Sequence, residues 1–112
     1  MSQKIIEASA QTWDEIISDK KKPVMTMFYM ESCPHCQKMK PVYEELADQY
    51  GDQITFTRIN AMEYLDITRK YNVYAAPAFK FFKNGVLLNK EDKVLNAEQL
   101  NQIASDLATG KL

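Results

Sequence analysis

Two cysteines, one histidine and three glycines are all that the 112 residues hold of those types. So small a ligand supply argues against a structural zinc site. Cys33, His35 and Cys36 share one four-residue run, no second ligand pair stands at finger-like spacing, and a histidine between the two cysteines is badly placed to converge with them. A cluster shared between two chains is a further arrangement that nothing in the sequence asks for. An excess of positive charge is also missing: 14 Lys and Arg face 15 Asp and Glu, for a net charge of -1. Nucleic acid is therefore not expected as a partner, since neutralising phosphates takes clustered cations. The one basic run, Lys20-Lys21-Lys22, reads as a solvated helix end. Long apolar stretches are absent too. Residues 1–10 mix Gln3, Lys4 and Glu7 among apolar neighbours, which is neither a signal peptide nor a membrane span. A cytoplasmic location without membrane attachment is the expectation that follows. In that reducing compartment a cysteine pair is a poor choice for a permanent staple.

Repeats, linkers and low-complexity segments are likewise lacking, so one domain over residues 1–112 is expected, with a monomer as its state. At 46% hydrophobic residues the chain is able to build a real core. Its pattern alternates strands and helices. Lys4–Ala8 reads as a strand, and Ala10–Asp19 as a helix with Thr12 and Glu15 in capping-box spacing. Val24–Met30 is almost continuously apolar, as a central strand covered on both faces is. From Pro34 to Tyr50 the positions Cys36, Met39, Tyr43, Leu46 and Tyr50 recur at helical steps; Pro41 predicts a kink and Gly51 a terminator. Ile54–Asn60 reads as a strand and Glu63–Tyr71 as a helix. Asn84-Gly85 between Ala78–Lys83 and Val86–Lys90 predicts an antiparallel hairpin. A last helix opens on an Asn96/Gln99 capping box, buries Leu100, Ile103, Ala104 and Leu107, and ends at Gly110. The order gives an α/β class with helices on both faces of a mostly parallel sheet, whose chemistry gathers at the carboxyl ends of the strands.

The cysteines fall at that end of the central strand. Two cysteines one helical turn apart are within disulfide reach, so the bond can open and close without remodelling the fold. As a staple it would add only about 2 kcal/mol, against about 3 for a fifteen-residue loop. Cys33 would sit at the helix N-terminus, where unpaired N–H groups favour an anion by roughly 0.5 to 2 kcal/mol. Further help is expected from Cys36 and from His35, a candidate for tuning the pair, while Glu31 opposes it. The plain alternative for His35 is an exposed polar residue on a turn. Met25, Met27, Met30 and Met39 read as adaptable core rather than as a ligand set.

With Cys33-Pro34-His35-Cys36 after an apolar strand and Ala75-Ala76-Pro77-Ala78-Phe79 before a strand and hairpin, the chain resembles the thioredoxin superfamily over nearly its whole length. Pro41, five residues after Cys36, and Lys83-Asn84-Gly85, at the familiar interval after Pro77, make the match specific. The resemblance implies a thioredoxin fold with a central mixed sheet, and a cis bond at Pro77 beside the cysteines. It also implies a substrate groove where the Ala76 backbone holds a target strand, bordered by Tyr29, Tyr74, Ala75 and Ala76. Met27 occupies the place of the family's buried aspartate, leaving Glu31 or water to move the proton of Cys36. Arg58 replaces the accompanying lysine, Ser32 a tryptophan and Lys93 a glycine of the groove, which puts docking to a thioredoxin-type reductase in question. The Pro34-His35 pair is similar to that of a periplasmic disulfide oxidase, where it accompanies an oxidising poise.

The function expected is thiol-disulfide exchange on protein disulfides or dithiols, with Cys33 as nucleophile, Cys36 as resolving thiol and a reductase or thiol donor as partner. No cofactor beyond the Cys33–Cys36 disulfide is called for. The alternatives are a non-cycling interaction module on the same fold, and a disulfide oxidase or isomerase of more oxidising poise.

Overall fold

The computed structural model describes residues 5–89 and 95–112. Its organising element is the apolar segment Val24–Tyr29, rich in residues that suit a pleated, doubly covered strand. In the order of chain position the strands are β1 (Ile5–Glu7), β2 (Val24–Tyr29), β3 (Thr55–Asn60), β4 (Ala78–Lys83) and β5 (Val86–Leu87); the helices are α1 (Trp13–Ile17), α2 (Pro34–Tyr50), α3 (Leu65–Lys70) and α4 (Ala97–Ala108). The strands form one mixed sheet in the order β1-β3-β2-β4-β5, with β2 at its centre. β3 runs parallel to β1 and β2, and β4 antiparallel to β2. Parallel neighbours need a crossover, which α1 and α2 supply.

Strand alternation splits the core in two. Met25, Met27, Phe56, Phe79 and Phe81 face α2 and α4, where Met39, Tyr43, Leu46, Leu100, Ala104 and Leu107 cover them. Val24, Phe28, Ile59, Ala78 and Phe82 point to the other side, beneath Trp13, Ile17 and Val73. The fully buried Lys80 lies on that same face, across from Thr26 in register. The Tyr43 hydroxyl ties α2 to the sheet, reaching the carbonyls of Met25 at 2.8 Å and Thr57 at 2.6 Å.

Several local readings change. α1 is shorter than Ala10–Asp19, and the Thr12–Glu15 capping box does not form. Instead the Thr12 hydroxyl accepts the Ser9 N–H at 2.9 Å, and the chain enters the helix through a turn. α3 begins two residues late because the Asn60 side chain accepts the N–H groups of Met62 and Glu63, holding residues 61–63 in a turn. Gly51 follows α2 as expected but keeps right-handed backbone; the Tyr50 carbonyl closes the end by accepting from Gln53 and Ile54. α4 ends as read, at Gly110 with φ +78°, where Lys111 N–H bonds back to Asp106. Asn84 and Gly85, both at positive φ, make the hairpin turn. β5 stops at Leu87 because the Asn89 side chain takes over the pairing, bonding Phe81 N–H and the Phe79 carbonyl at 2.8 Å each. The expected roles of Lys4, Lys90 and Lys93 lie outside the described residues.

Candidate redox site

β2 ends at Tyr29, and after a three-residue turn Cys33 caps α2, with Pro34 in the first helical position, where its missing N–H costs nothing. The Cys33 backbone is extended, and its sulfur accepts the Cys36 N–H at 3.1 Å, doing for this helix what a serine or aspartate oxygen does at an ordinary N-cap. The spacing Cys-X-X-Cys is thus also the spacing from N-cap to N3. One turn of helix brings the second thiol to the first.

Both cysteines are free thiols and both are buried. Burial pushes the Cys36 thiol up to about 11, and its contact with the Cys33 sulfur pushes in the same direction. Cys36 is thereby kept neutral at ordinary pH, while the helix end and the Cys36 N–H are directed at the Cys33 sulfur. Pro34 and His35 lie exposed on the first turn.

The segment before β4 completes the site. The Ala76–Pro77 peptide is cis, and the Cys33 thiol donates to the Ala76 carbonyl at 3.4 Å across 43 residues of chain. Ala75 and Tyr74 are exposed beside it, and Ala76 and Pro77 half-buried. Tyr29 is placed differently from the expectation. Its hydroxyl donates to Glu7 at 2.7 Å, its ring lies under the Arg58 guanidinium at 5.2 Å, and Arg58 pairs with Glu7 at 2.6 Å. Burial, then the bond to Glu7, raises the Tyr29 phenol to about 12. Tyr29 and Arg58 border a cavity of about 530 Å³ behind Cys36, whose wall also includes Met27, Glu31 and Lys40. Met30, not Tyr29, lines the pocket beside Ala75 and Ala76. Glu31 does face the cavity that reaches Cys36, where a proton acceptor is needed, and Met27 stands beside Arg58 in register at its base. Sequence reasoning missed Glu7. The only available signal was an acidic residue in one strand and a basic one in another, with no rule to bring those two into register.

Among the described residues no group of three His, Cys, Asp or Glu side chains is placed to hold a metal ion, and no helix is long and apolar enough to cross a membrane. Residues 4–109 match the family model for thioredoxin. The chain belongs to the thioredoxin family. Its sequence is 36% identical over 110 residues to thioredoxin Y, chloroplastic, of Oryza sativa, covering 95% of this chain and 66% of that protein. It is 31% identical over 83 residues to a probable protein disulfide-isomerase A6 of Medicago sativa, covering 72% and 23% respectively. The thioredoxin of Malassezia sympodialis superposes with a TM-score of 0.84 at 23% identity, over 96% of this chain and 93% of that one, which fixes the thioredoxin fold. The chain spans only about half to two thirds of the plant thioredoxins Y. Those and the related pea M-type protein are chloroplastic, which overturns the cytoplasmic location expected from residues 1–10. Thioredoxin and disulfide-isomerase relatives, with a cysteine pair in CXXC spacing, support thiol-disulfide exchange as the chemistry of this domain.

Proposed function

We propose that this protein is a thiol-disulfide oxidoreductase acting on protein disulfides through Cys33 and Cys36. The observation that carries the reading is the position of one sulfur: Cys33 Sγ caps α2 through the Cys36 N–H and touches the Ala76 carbonyl beside Pro77. The Cys33 thiolate attacks one sulfur of a target disulfide. That bond breaks, a mixed disulfide forms, and the displaced target sulfur leaves as a thiolate that takes up a proton. Cys36 then gives up its proton, with Glu31 or water as acceptor, and attacks Cys33 Sγ to release the second target thiol. Two electrons have passed to the target, and the pair ends as a disulfide that a thiol donor or reductase must reduce.

The pair is the redox carrier, and the chemistry asks for no other cofactor. Ala76 and Ala75 supply main-chain groups at an exposed edge where an extended target strand is held with little demand on its sequence. His35, exposed on the first turn, tunes the poise. One domain, working as a monomer, suffices for these steps.

Turnover of insulin disulfides with dithiothreitol tests the proposal. The wild type accelerates reduction, Cys33→Ser falls to the uncatalysed rate, and Cys36→Ser accumulates mixed disulfides. Activity unchanged in Cys33→Ser contradicts it and favours the non-cycling interaction module. The same steps run backwards oxidise dithiols, and refolding of scrambled ribonuclease separates an isomerase or oxidase poise from a reductase.

A further inference from the structure

Burial keeps the proton of Cys36 in place up to about 11, so that proton must be taken before the second sulfur can attack. The acceptor has to be reached from the cavity of about 530 Å³ that borders this thiol, and most of the wall is chemically unsuited. Met27, where family resemblance expects an acid, and Met30 carry thioethers, and Gln37 an amide; none of these takes up a proton near neutral pH. Lys40 and Arg58 are donors that already hold their protons. The Tyr29 phenol, raised to about 12 by burial and then by its bond to Glu7, keeps its own. Glu7 stands outside this wall, and its two oxygens are taken by Arg58 at 2.6 Å and Tyr29 at 2.7 Å. Among the described residues Glu31 is the one carboxylic acid in the wall.

Glu31 also has a second side. It is exposed, in the middle of the turn between Tyr29 and Cys33, and with Met30 it borders another cavity, of about 540 Å³, lined further by Ser32, Asn60, Met62 and Glu63. One carboxylate thus adjoins both the space that reaches the buried thiol and a separate space beyond the turn. The inner cavity has room for a bridging water and offers it polar partners, which is what such a bridge requires.

We propose that Glu31 is the proton acceptor for Cys36 in the resolving step, taking the proton through a water molecule in the inner cavity and releasing it to solvent on the outer side. The inference rests on the exchange reading and decides between the two acceptors left open there. The Cys36 thiol gives its proton to Glu31 as its sulfur bonds to Cys33 Sγ; the bond from Cys33 to the target breaks, and its electron pair leaves with the target sulfur. That thiolate takes a proton from solvent, and Glu31 returns its own to solvent. The timing suits the charges. A Cys33 thiolate is opposed by Glu31, but in the mixed disulfide Cys33 is neutral, and Lys40 and Arg58 are the charges that face the new Cys36 thiolate. Glu63, across the outer cavity, repels the charged form of Glu31 and favours its taking up the proton.

Transfer from Cys36 to Glu31 leaves the protein's proton count unchanged, so a step that uses it is flat with pH while Glu31 starts ionised. A step that must lose the proton to free hydroxide rises about tenfold per pH unit. The test mixes reduced protein with excess disulfide-linked peptide between about pH 7 and 9, quenches with acid, and follows mixed disulfide and oxidised protein by mass spectrometry, which separates the two steps. General bases contribute roughly 10²- to 10⁴-fold. The second step of the wild type is expected to vary by less than about threefold over that range. In Glu31→Gln it should be at least about tenfold slower at the lower end and climb steeply with pH, so that peptide accumulates on Cys33, while the first step is not slowed. Glu31→Asp, which keeps a carboxylate, should keep the flat profile. Glu63→Gln, which removes a negative charge from the outer cavity alone, should leave the second step within about twofold. A second step in Glu31→Gln that matches the wild type in rate and profile gives the proton to free water and overturns the proposal. Equal slowing in Glu63→Gln makes the effect one of surface charge and overturns it too, as does a profile in Glu31→Asp as steep as in Glu31→Gln. A wild type that never consumes the peptide disulfide overturns the exchange reading, and this inference with it.

Discussion

A sulfur used as a helix cap has two states with different partners. As a thiol, Cys33 donates to the Ala76 carbonyl and accepts from Cys36 N–H; on losing its proton it can keep only the second. The anion is therefore left with the donor and the helix end while the contact to the substrate edge opens. Cys36 is the opposite case, a buried thiol that ionises near 11 rather than 9.0. In a Cys33→Ser variant, alkylation of Cys36 by iodoacetamide should rise with pH along a curve centred well above 9.0, because burial, the larger cause, is retained. A curve centred at 9.0 in the folded protein contradicts this. The same shift has a consequence for stability. Between about 9 and 11 the unfolded chain has lost the Cys36 proton and the folded chain has kept it, so the reduced protein loses stability as pH rises through that window. Denaturant titrations at pH 8.5 and 10.5 should show a smaller loss in Cys36→Ser than in the wild type. The placement of the two cysteines one turn apart at the start of α2 was legible from spacing and pattern. The Glu7–Arg58–Tyr29 trio was not, because it depends on parallel register between strands 51 residues apart.

At the scale of elements, local chemistry explains which boundaries were readable. Asn96 and Gln99 form both bonds of a capping box, 2.8 and 3.0 Å, so that start was fixed by residues in contact with each other. Asn96→Ala should cost about 1 kcal/mol, read as a melting temperature lower by about 4 °C or more. Thr12 offered the same signal at α1 and failed: its backbone is helical rather than extended, and its hydroxyl accepts the Ser9 N–H at 2.9 Å instead. A hydroxyl with two possible donors cannot be assigned from spacing. α2 depends on a longer connection. Tyr43 links it to β2 and β3 through two carbonyls, and Tyr43→Phe leaves both without that donor. A loss of about 1 to 3 kcal/mol is expected in chemical denaturation. An unchanged midpoint would mean that packing alone seats the helix.

Over the whole molecule, the sheet order and the site depend on one crossing that periodicity does not reveal, the approach of Ala76 to Cys33. Alternation gave the strands and their two covered faces, while the cis bond at Pro77 and its closeness to the cysteines came only through family resemblance. Location was misread for a related reason. Composition near residue 1 says what a segment is unsuited to do, whereas the similar plant proteins are chloroplastic. The central claim is that the pair itself delivers both electrons, with Cys33 as the attacking sulfur. It is tested most directly by mixing the reduced protein with one equivalent of a disulfide peptide, with no other thiol present, and mapping the products by mass spectrometry. The account predicts two free peptide thiols and an internal Cys33–Cys36 disulfide, with Cys36→Ser halted at a peptide joined to Cys33. A peptide found on Cys36 in the wild type, or both protein thiols still free after prolonged incubation, would contradict it.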